Sequence, residues 1–186
     1  MVLKFSILGI IIVSLTSCIN SSFTSSEKNY SLPTAYFSLK NYFKDQARHL
    51  QHEKVNFIKK ITVNGHSQTK QIHEVNWTDE LVFFSESDIN KPSWIGKYKV
   101  IKIQNNLCYQ AMDSNLKVRT FSIIFNHGIV KHVQIKQSVK NFLYTMDEEL
   151  DYIPDSMYSI NRKQTIKMLG NKTYLIQGFV NNFSKH

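Results

Sequence analysis

Residues 97–137 read KYKVIKIQNNLCYQAMDSNLKVRTFSIIFNHGIVKHVQIKQ. Short runs rich in Val, Ile, Tyr and Phe alternate with turn residues, Asn105-Asn106 and Asn126-His127-Gly128. β-Branched and aromatic side chains suit a pleated, half-buried surface, and Asn and Gly accept the positive φ of tight turns. The stretch therefore predicts four antiparallel strands, 97–104, 107–112, 117–125 and 129–137. The pattern continues downstream through 139–146, then 158–168 and 173–180 on either side of Gly170-Asn171.

Upstream, Val55, Phe57, Ile61 and Val63 alternate with Asn56, Lys60 and Thr62, and Asn64-Gly65 follows. Asn-Gly is the strongest two-residue hairpin signal. The return segment 66–73 is polar on both faces except at Ile72, as in an edge strand protected against aggregation or a strand bordering a wet groove. Helical spacing appears twice. Tyr36, Leu39, Phe43, Ala47 and Leu50 predict a helix over 34–51, with Pro33 at its start. Trp77, Leu81 and Phe84 share one face of a second helix capped by Asn76, which ends by Asn90-Lys91-Pro92, with Trp94 in the exit loop. Two helices cannot cover both faces of so large a sheet. The fold class is α+β: a curved antiparallel sheet, a half-open barrel-like meander of eight or nine strands, with two helices on one face.

Composition narrows the class further. With 186 residues and 42% hydrophobic content, the chain builds one well-buried domain and is not disordered in bulk. Six Gly, three Pro and two Cys exclude collagen-like and disulfide-rich classes. Neither a Gly-rich phosphate loop nor Gly-x-Ser-x-Gly, His-Glu-x-x-His or Cys-x-x-Cys occurs, which weakens a nucleotide-enzyme reading.

The N-terminus carries an address. Lys4 precedes an apolar run of 11 residues, Phe5 to Leu15, too short to span a hydrocarbon core about 30 Å thick. It reads as the hydrophobic region of a secretory signal. The run ends in Leu15-Thr16-Ser17-Cys18, which resembles the lipobox of bacterial lipoproteins. That resemblance implies cleavage before Cys18 and lipidation of Cys18 on its sulfur and its new amino terminus, with palmitate-type acyl chains. Several chains anchor almost permanently, at about 0.8 kcal/mol per buried CH₂. The absence of Asp after Cys18 implies, by the same resemblance, the periplasmic side of the outer membrane. Loss of residues 1–17 removes Lys4 alone among the charged residues, leaving 22 basic against 14 acidic side chains. The expected organisation is a signal peptide over 1–17, a lipidated flexible tether over 18–32 rich in Ser, Asn and Thr, and a single α+β domain over 33–186.

Candidate sites are few. Trp77, Leu81, Phe84 and Trp94 form a candidate ligand-binding lid, although core packing accounts for such aromatics equally well. His49 and His52 have a metal-compatible spacing with no clear third ligand, and read as solvated residues near a helix C-terminus. Asp147, Glu148, Glu149, Asp151 and Asp155 read as a solvated connection, in which paired catalytic carboxylates are not singled out. Cys108 reads as a small buried residue. No catalytic residue, metal site or cofactor is assigned. The lysines are spread singly along strands and read mostly as solvated outer faces; as a binding feature they suit anionic lipid head groups better than nucleic acid, which is not an expected partner.

The segments Ser87-Asp88-Ile89-Asn90-Lys91-Pro92-Ser93-Trp94, Tyr152-Ile153-Pro154-Asp155-Ser156 and Met168-Leu169-Gly170 resemble small uncharacterised lipoproteins of Bacteroidetes-type bacteria. That resemblance implies an envelope location and carries no activity. The helix–hairpin–helix–meander order is also similar in outline to half-barrel carriers of the lipoprotein-localisation type, which transfers no site residue. The expected function is a non-enzymatic envelope lipoprotein that binds a lipid or other hydrophobic ligand between sheet and helices. The alternatives are an accessory subunit of an outer-membrane assembly, using an edge such as 66–73, and an envelope hydrolase.

Overall fold

The structure, a computed structural model, describes residues 35–53 and 55–181. The signal segment, Cys18 and the tether lie outside the described residues. Among the described residues nine strands pair antiparallel throughout, in the order β2-β1-β9-β8-β7-β6-β5-β4-β3. They are β1 (Asn56–Val63), β2 (His66–Ile72), β3 (Tyr98–Ile103), β4 (Asn106–Ala111), β5 (Val118–Asn126), β6 (Ile129–Lys140), β7 (Tyr144–Ile153), β8 (Met157–Ile166) and β9 (Gly170–Asn181). The meander from β3 to β9 is local in sequence. One long-range pairing completes the sheet, when β9 returns to lie beside β1, with Phe57 opposite Val180 and Val63 opposite Tyr174. The edges are β2 and β3, so the sheet stays open. The polar segment 66–73 is thus an edge strand, and its exposed side chains guard unpaired backbone groups. Asn64 and Gly65 both take positive φ, as the tight turn between β1 and β2 requires.

Among the described residues three α-helical segments lie on one face: α1 (Leu39–Glu53), α2 (Trp77–Glu80) and α3 (Val82–Ser85). The predicted helix over 34–51 starts later, at Leu39, because the capping groups sit there. Ser38 Oγ accepts from the Asn41 N–H at 3.2 Å, and Asp88, brought from across the fold, accepts from the Lys40 N–H and the Ser38 hydroxyl, each at 2.8 Å. A carboxylate at this helix end also meets the positive end of the dipole. The predicted second helix breaks at Leu81 into two single turns. Asn76 caps the first as expected, its side chain accepting from Thr78 and Asp79.

The core lies between these helices and the inner sheet face. Leu39, Phe43, Ala47 and Leu50 from α1 meet Phe121, Ile123, Val133, Ile135, Leu150, Tyr152, Tyr158 and Ile160 from the strands. Gly178 on β9 leaves room for the rings of Tyr158 and of Phe57 on β1, because a Cβ there would stand 2.7 Å from the Phe57 ring and closer still to Tyr158. Two expectations are corrected: β6 runs on to Lys140 and β7 spans Tyr144–Ile153, so the expected strand over 139–146 is interrupted by a turn at 141–143, and the acidic run 147–151 is the middle of a strand, not a connection.

Candidate functional site

Alternation along each central strand decides what the inner face presents, since successive side chains point to opposite sides. On β1 the inward series is Phe57, Lys59, Ile61 and Val63, and on β8 it is Tyr158, Ile160, Arg162, Gln164 and Ile166. On β7 it is Tyr152, Leu150, Glu148, Met146 and Tyr144, and on β6 it is Val133, Ile135, Gln137 and Val139. Each series begins with apolar residues buried under the helices, passes a polar or charged residue, and ends on side chains that the helices leave partly uncovered. The inner face therefore has a closed half and an open half, with a polar boundary between them.

That boundary consists of two clusters. In the first, Gln137, Glu148 and Arg162 stand in register on adjacent strands. The Glu148 carboxylate accepts from Arg162 Nε at 2.6 Å, Arg162 Nη2 at 2.5 Å and Gln137 Nε2 at 2.8 Å. Glu148 is 1% exposed in its side chain and Arg162 is 27% exposed, so the carboxylate is the buried partner and the guanidinium reaches the open half. Gln137 Nε2 also donates to Ser87 Oγ at 3.1 Å, while Gln137 Oε1 is buried with no partner. The Phe83 ring lies 5.1 Å from the Arg162 guanidinium. In the second cluster, Lys59 Nζ lies 2.7 Å from Glu80 on α2, and the Tyr158 hydroxyl donates to the same carboxylate. Burial raises the Tyr158 hydroxyl pKa above its ordinary value, and the bond to Glu80 raises it further. Both clusters tie the 77–87 segment to the sheet.

Beyond the boundary the open half exposes large apolar side chains. Ile61 is 39%, Val63 36% and Phe83 37% exposed, beside partly buried Ile176 and Tyr174 on β9. Arg162 is the cation beside Phe83 at this edge. A guanidinium has five N–H donors, more than Glu148 takes, so it retains capacity for a further anionic or polar group.

The predicted lid residues separate. Trp77, Leu81 and Phe84 come together, but as fully packed core. Trp77 sits 4.9 Å from Phe57, and Phe84 stands 5.0 Å from Phe43 and 5.8 Å from both Tyr152 and Tyr158. Trp94 is elsewhere, against Tyr98 at 6.4 Å with the Lys91 ammonium 4.2 Å from its ring. Two open clefts adjoin the packed residues. One, of about 730 Å³, is lined by Leu50, Val55, His73 and Trp77 among others, and the other, of about 290 Å³, lies between α1 and α2–α3 beside Phe43, Ala47 and Leu81.

Several of the remaining candidates pair with one another or with nearby basic side chains. His49 pairs with Asp155 at 3.1 Å, and among the described residues no three His, Cys, Asp or Glu side chains gather as metal ligands. Asp147, Glu149 and Asp151 point to the outer face, opposite Lys163, Lys136 and Gln134. Lys136 and Glu149 pair at 3.0 Å, and His132 and Asp151 at 3.1 Å. Cys108 is half-buried on β4, and burial pushes its thiol up, away from thiolate reactivity.

Sequence reasoning missed the Glu148–Arg162 pair. Its signal was present: Glu148 has the strand parity of Leu150 and Tyr152, so a strand through 147–151 turns it inward. No family model matches this chain, and no curated protein is significantly similar to it.

Proposed function

We propose that this protein is a lipid-anchored, non-enzymatic envelope protein that binds an amphipathic ligand on the open half of its inner sheet face. The apolar part of the ligand lies against Ile61, Val63, Ile176 and Phe83, and its anionic or polar head meets Arg162. The observation that carries this reading is the open half itself, an exposed apolar surface ending at a half-buried cation that keeps hydrogen-bonding capacity. The lipobox-like Leu15-Thr16-Ser17-Cys18 supports a membrane location for the protein. Relative to the expected lid, the proposed site moves outward, from beneath Trp77, Leu81 and Phe84 to the surface next to Phe83.

Native mass spectrometry of the full chain gently extracted from membranes tests the reading. A bound lipid mass is expected on the wild type and should be absent from an Ile61→Asp, Phe83→Asp variant, whose altered positions are exposed. A bare wild-type mass overturns it. A second reading rests on the exposed edge β2, whose outer backbone groups lack a neighbouring strand in the sheet. An assembly partner adding a strand there would make the protein an accessory subunit, and co-purification of such a partner, lost on shortening β2, would favour it.

A further inference from the structure

The largest exposed apolar side chains of the β6–β9 region gather at one end of the sheet. The connection between β6 and β7 carries Phe142 and Leu143, and that between β8 and β9 carries Met168 and Leu169. These residues are 80%, 65%, 99% and 73% exposed. The two connections are neighbours, because Tyr144 and Ile166 pair at the ends of β7 and β8. They are also joined directly, the Lys167 N–H donating to the Leu143 carbonyl at 2.9 Å. The result is one composite tip. A water-exposed surface gains nothing by holding four large apolar side chains outward, and clustered exposed apolar groups of this kind mark an interaction surface.

The charges around the tip identify its occupant. Lys140, Lys167 and Lys172 flank the four side chains and are exposed, while residues 138–146 and 164–174 contain no Asp or Glu. The Lys167 ammonium lies 4.0 Å from the Phe142 ring, with its stem along the apolar surface. A protein-binding tip needs no such bias in charge. Apolar side chains ringed by lysines alone match the interface of an anionic bilayer, where the apolar groups enter the acyl boundary and the ammonium groups stay at head-group level.

We infer that the tip formed by Phe142, Leu143, Met168 and Leu169 is a second membrane contact, which inserts into anionic lipid independently of the N-terminal anchor. This does not rest on ligand binding by the open half of the sheet, and stands or falls separately.

The test uses the full chain reconstituted with vesicles, carrying an environment-sensitive fluorophore on Met168→Cys or, as a control from the opposite end of the sheet, on Ile103→Cys, both in a Cys108→Ser background. On phosphatidylglycerol-containing vesicles the label at 168 should shift to the blue and be quenched by spin-labelled acyl chains, while the label at 103 stays in water. The insertion equilibrium should fall about fivefold for each of Lys140→Gln, Lys167→Gln and Lys172→Gln. Because these lysines are exposed, retention of wild-type thermal unfolding by the variants separates loss of insertion from loss of fold. A label at 168 that remains aqueous overturns the inference. So does insertion of equal strength into phosphatidylcholine vesicles, which would remove the role of the lysines. A blue shift that appears without vesicles and grows with protein concentration also overturns it, and would make the tip an interface between copies of this chain.

Discussion

The two halves of the inner sheet face are built from the same strands and the same alternation, yet one is packed and the other is open. On β1, Phe57 is wholly buried against Trp77, whereas Ile61 and Val63, four and six residues further, are exposed. On β8, Tyr158 and Ile160 are core, and Arg162 is the next inward residue. Apolarity alone does not distinguish them. The path of the 35–89 segment does: α1, α2 and α3 cross one half of the face and stop at the row of Gln137, Glu148 and Arg162. Where a helix covers the sheet, an inward apolar residue becomes core. Where none does, the same residue type stays exposed to solvent.

The largest test of this contrast is a pair of adjacent phenylalanines. Phe84→Ala removes a wholly buried ring packed on Phe43, Tyr152 and Tyr158, and should cost about 3–5 kcal/mol in urea unfolding. Phe83→Ala, one residue away in the open half, should cost less than about 1 kcal/mol while weakening lipid retention. Equal losses for the two would erase the distinction between the halves.

The boundary comes next. Arg162→Ala leaves Glu148 buried without its cation, and should destabilise by about 3 kcal/mol. The double variant Glu148→Leu, Arg162→Met should recover most of that loss, since an apolar pair of similar size carries no desolvation penalty. A double-mutant cycle in denaturant gives both figures. If the double variant is as unstable as the single one, the boundary owes its stability to packing around the pair and not to its charges.

Alkaline pH separates the halves by a third route. Burial raises the hydroxyl pKa values of Tyr42, Tyr98, Tyr109, Tyr152 and Tyr158 above their ordinary value near 10. A raised folded-state pKa gives stability that is complete below the unfolded value and is lost as pH rises above it. Stability should therefore hold up to about pH 9 and fall above about pH 10, with the buried tyrosines ionising together as the chain unfolds. Absorbance of tyrosinate against pH, followed beside far-ultraviolet circular dichroism, checks this. Gradual ionisation of all nine tyrosines with the fold intact would contradict the closed half as described.

The smallest effect lies outside both halves. Lys136 and Glu149 pair on the outer face with both side chains about half exposed, and Lys136→Ala should change stability by less than about 1 kcal/mol. A larger loss would mean that the outer face is not simply solvated.

Much of the sheet was legible from local pattern. The hairpin at Asn64-Gly65, the edge character of 66–73 and the strands of 97–137 follow from period-two alternation and turn chemistry, which act over a few residues. The helix spacing of Leu39, Phe43, Ala47 and Leu50 identified the buried face of α1 for the same reason. The acidic run 147–151 was not legible as a strand, because four charged residues in five outweigh the alternation hidden beneath them. The burial of Trp77, Leu81 and Phe84, three of the four candidate ligand-binding residues beside Trp94, was not legible either. Helical spacing shows that those three share a face, but not whether that face meets a ligand or a sheet.

By itself, then, the sequence determined that this chain builds a curved antiparallel sheet with helices on one side, since strand and turn preferences are local and cumulative. Tertiary structure alone decided the rest. The pairing of β9 with β1 joins residues more than a hundred positions apart, which no local preference specifies. The burial of Glu148 is tolerable only because β8 sets Arg162 directly across from it, a consequence of register. Which half of the face stays open depends on where a connecting segment crosses the sheet, and that is settled by packing as the whole core forms.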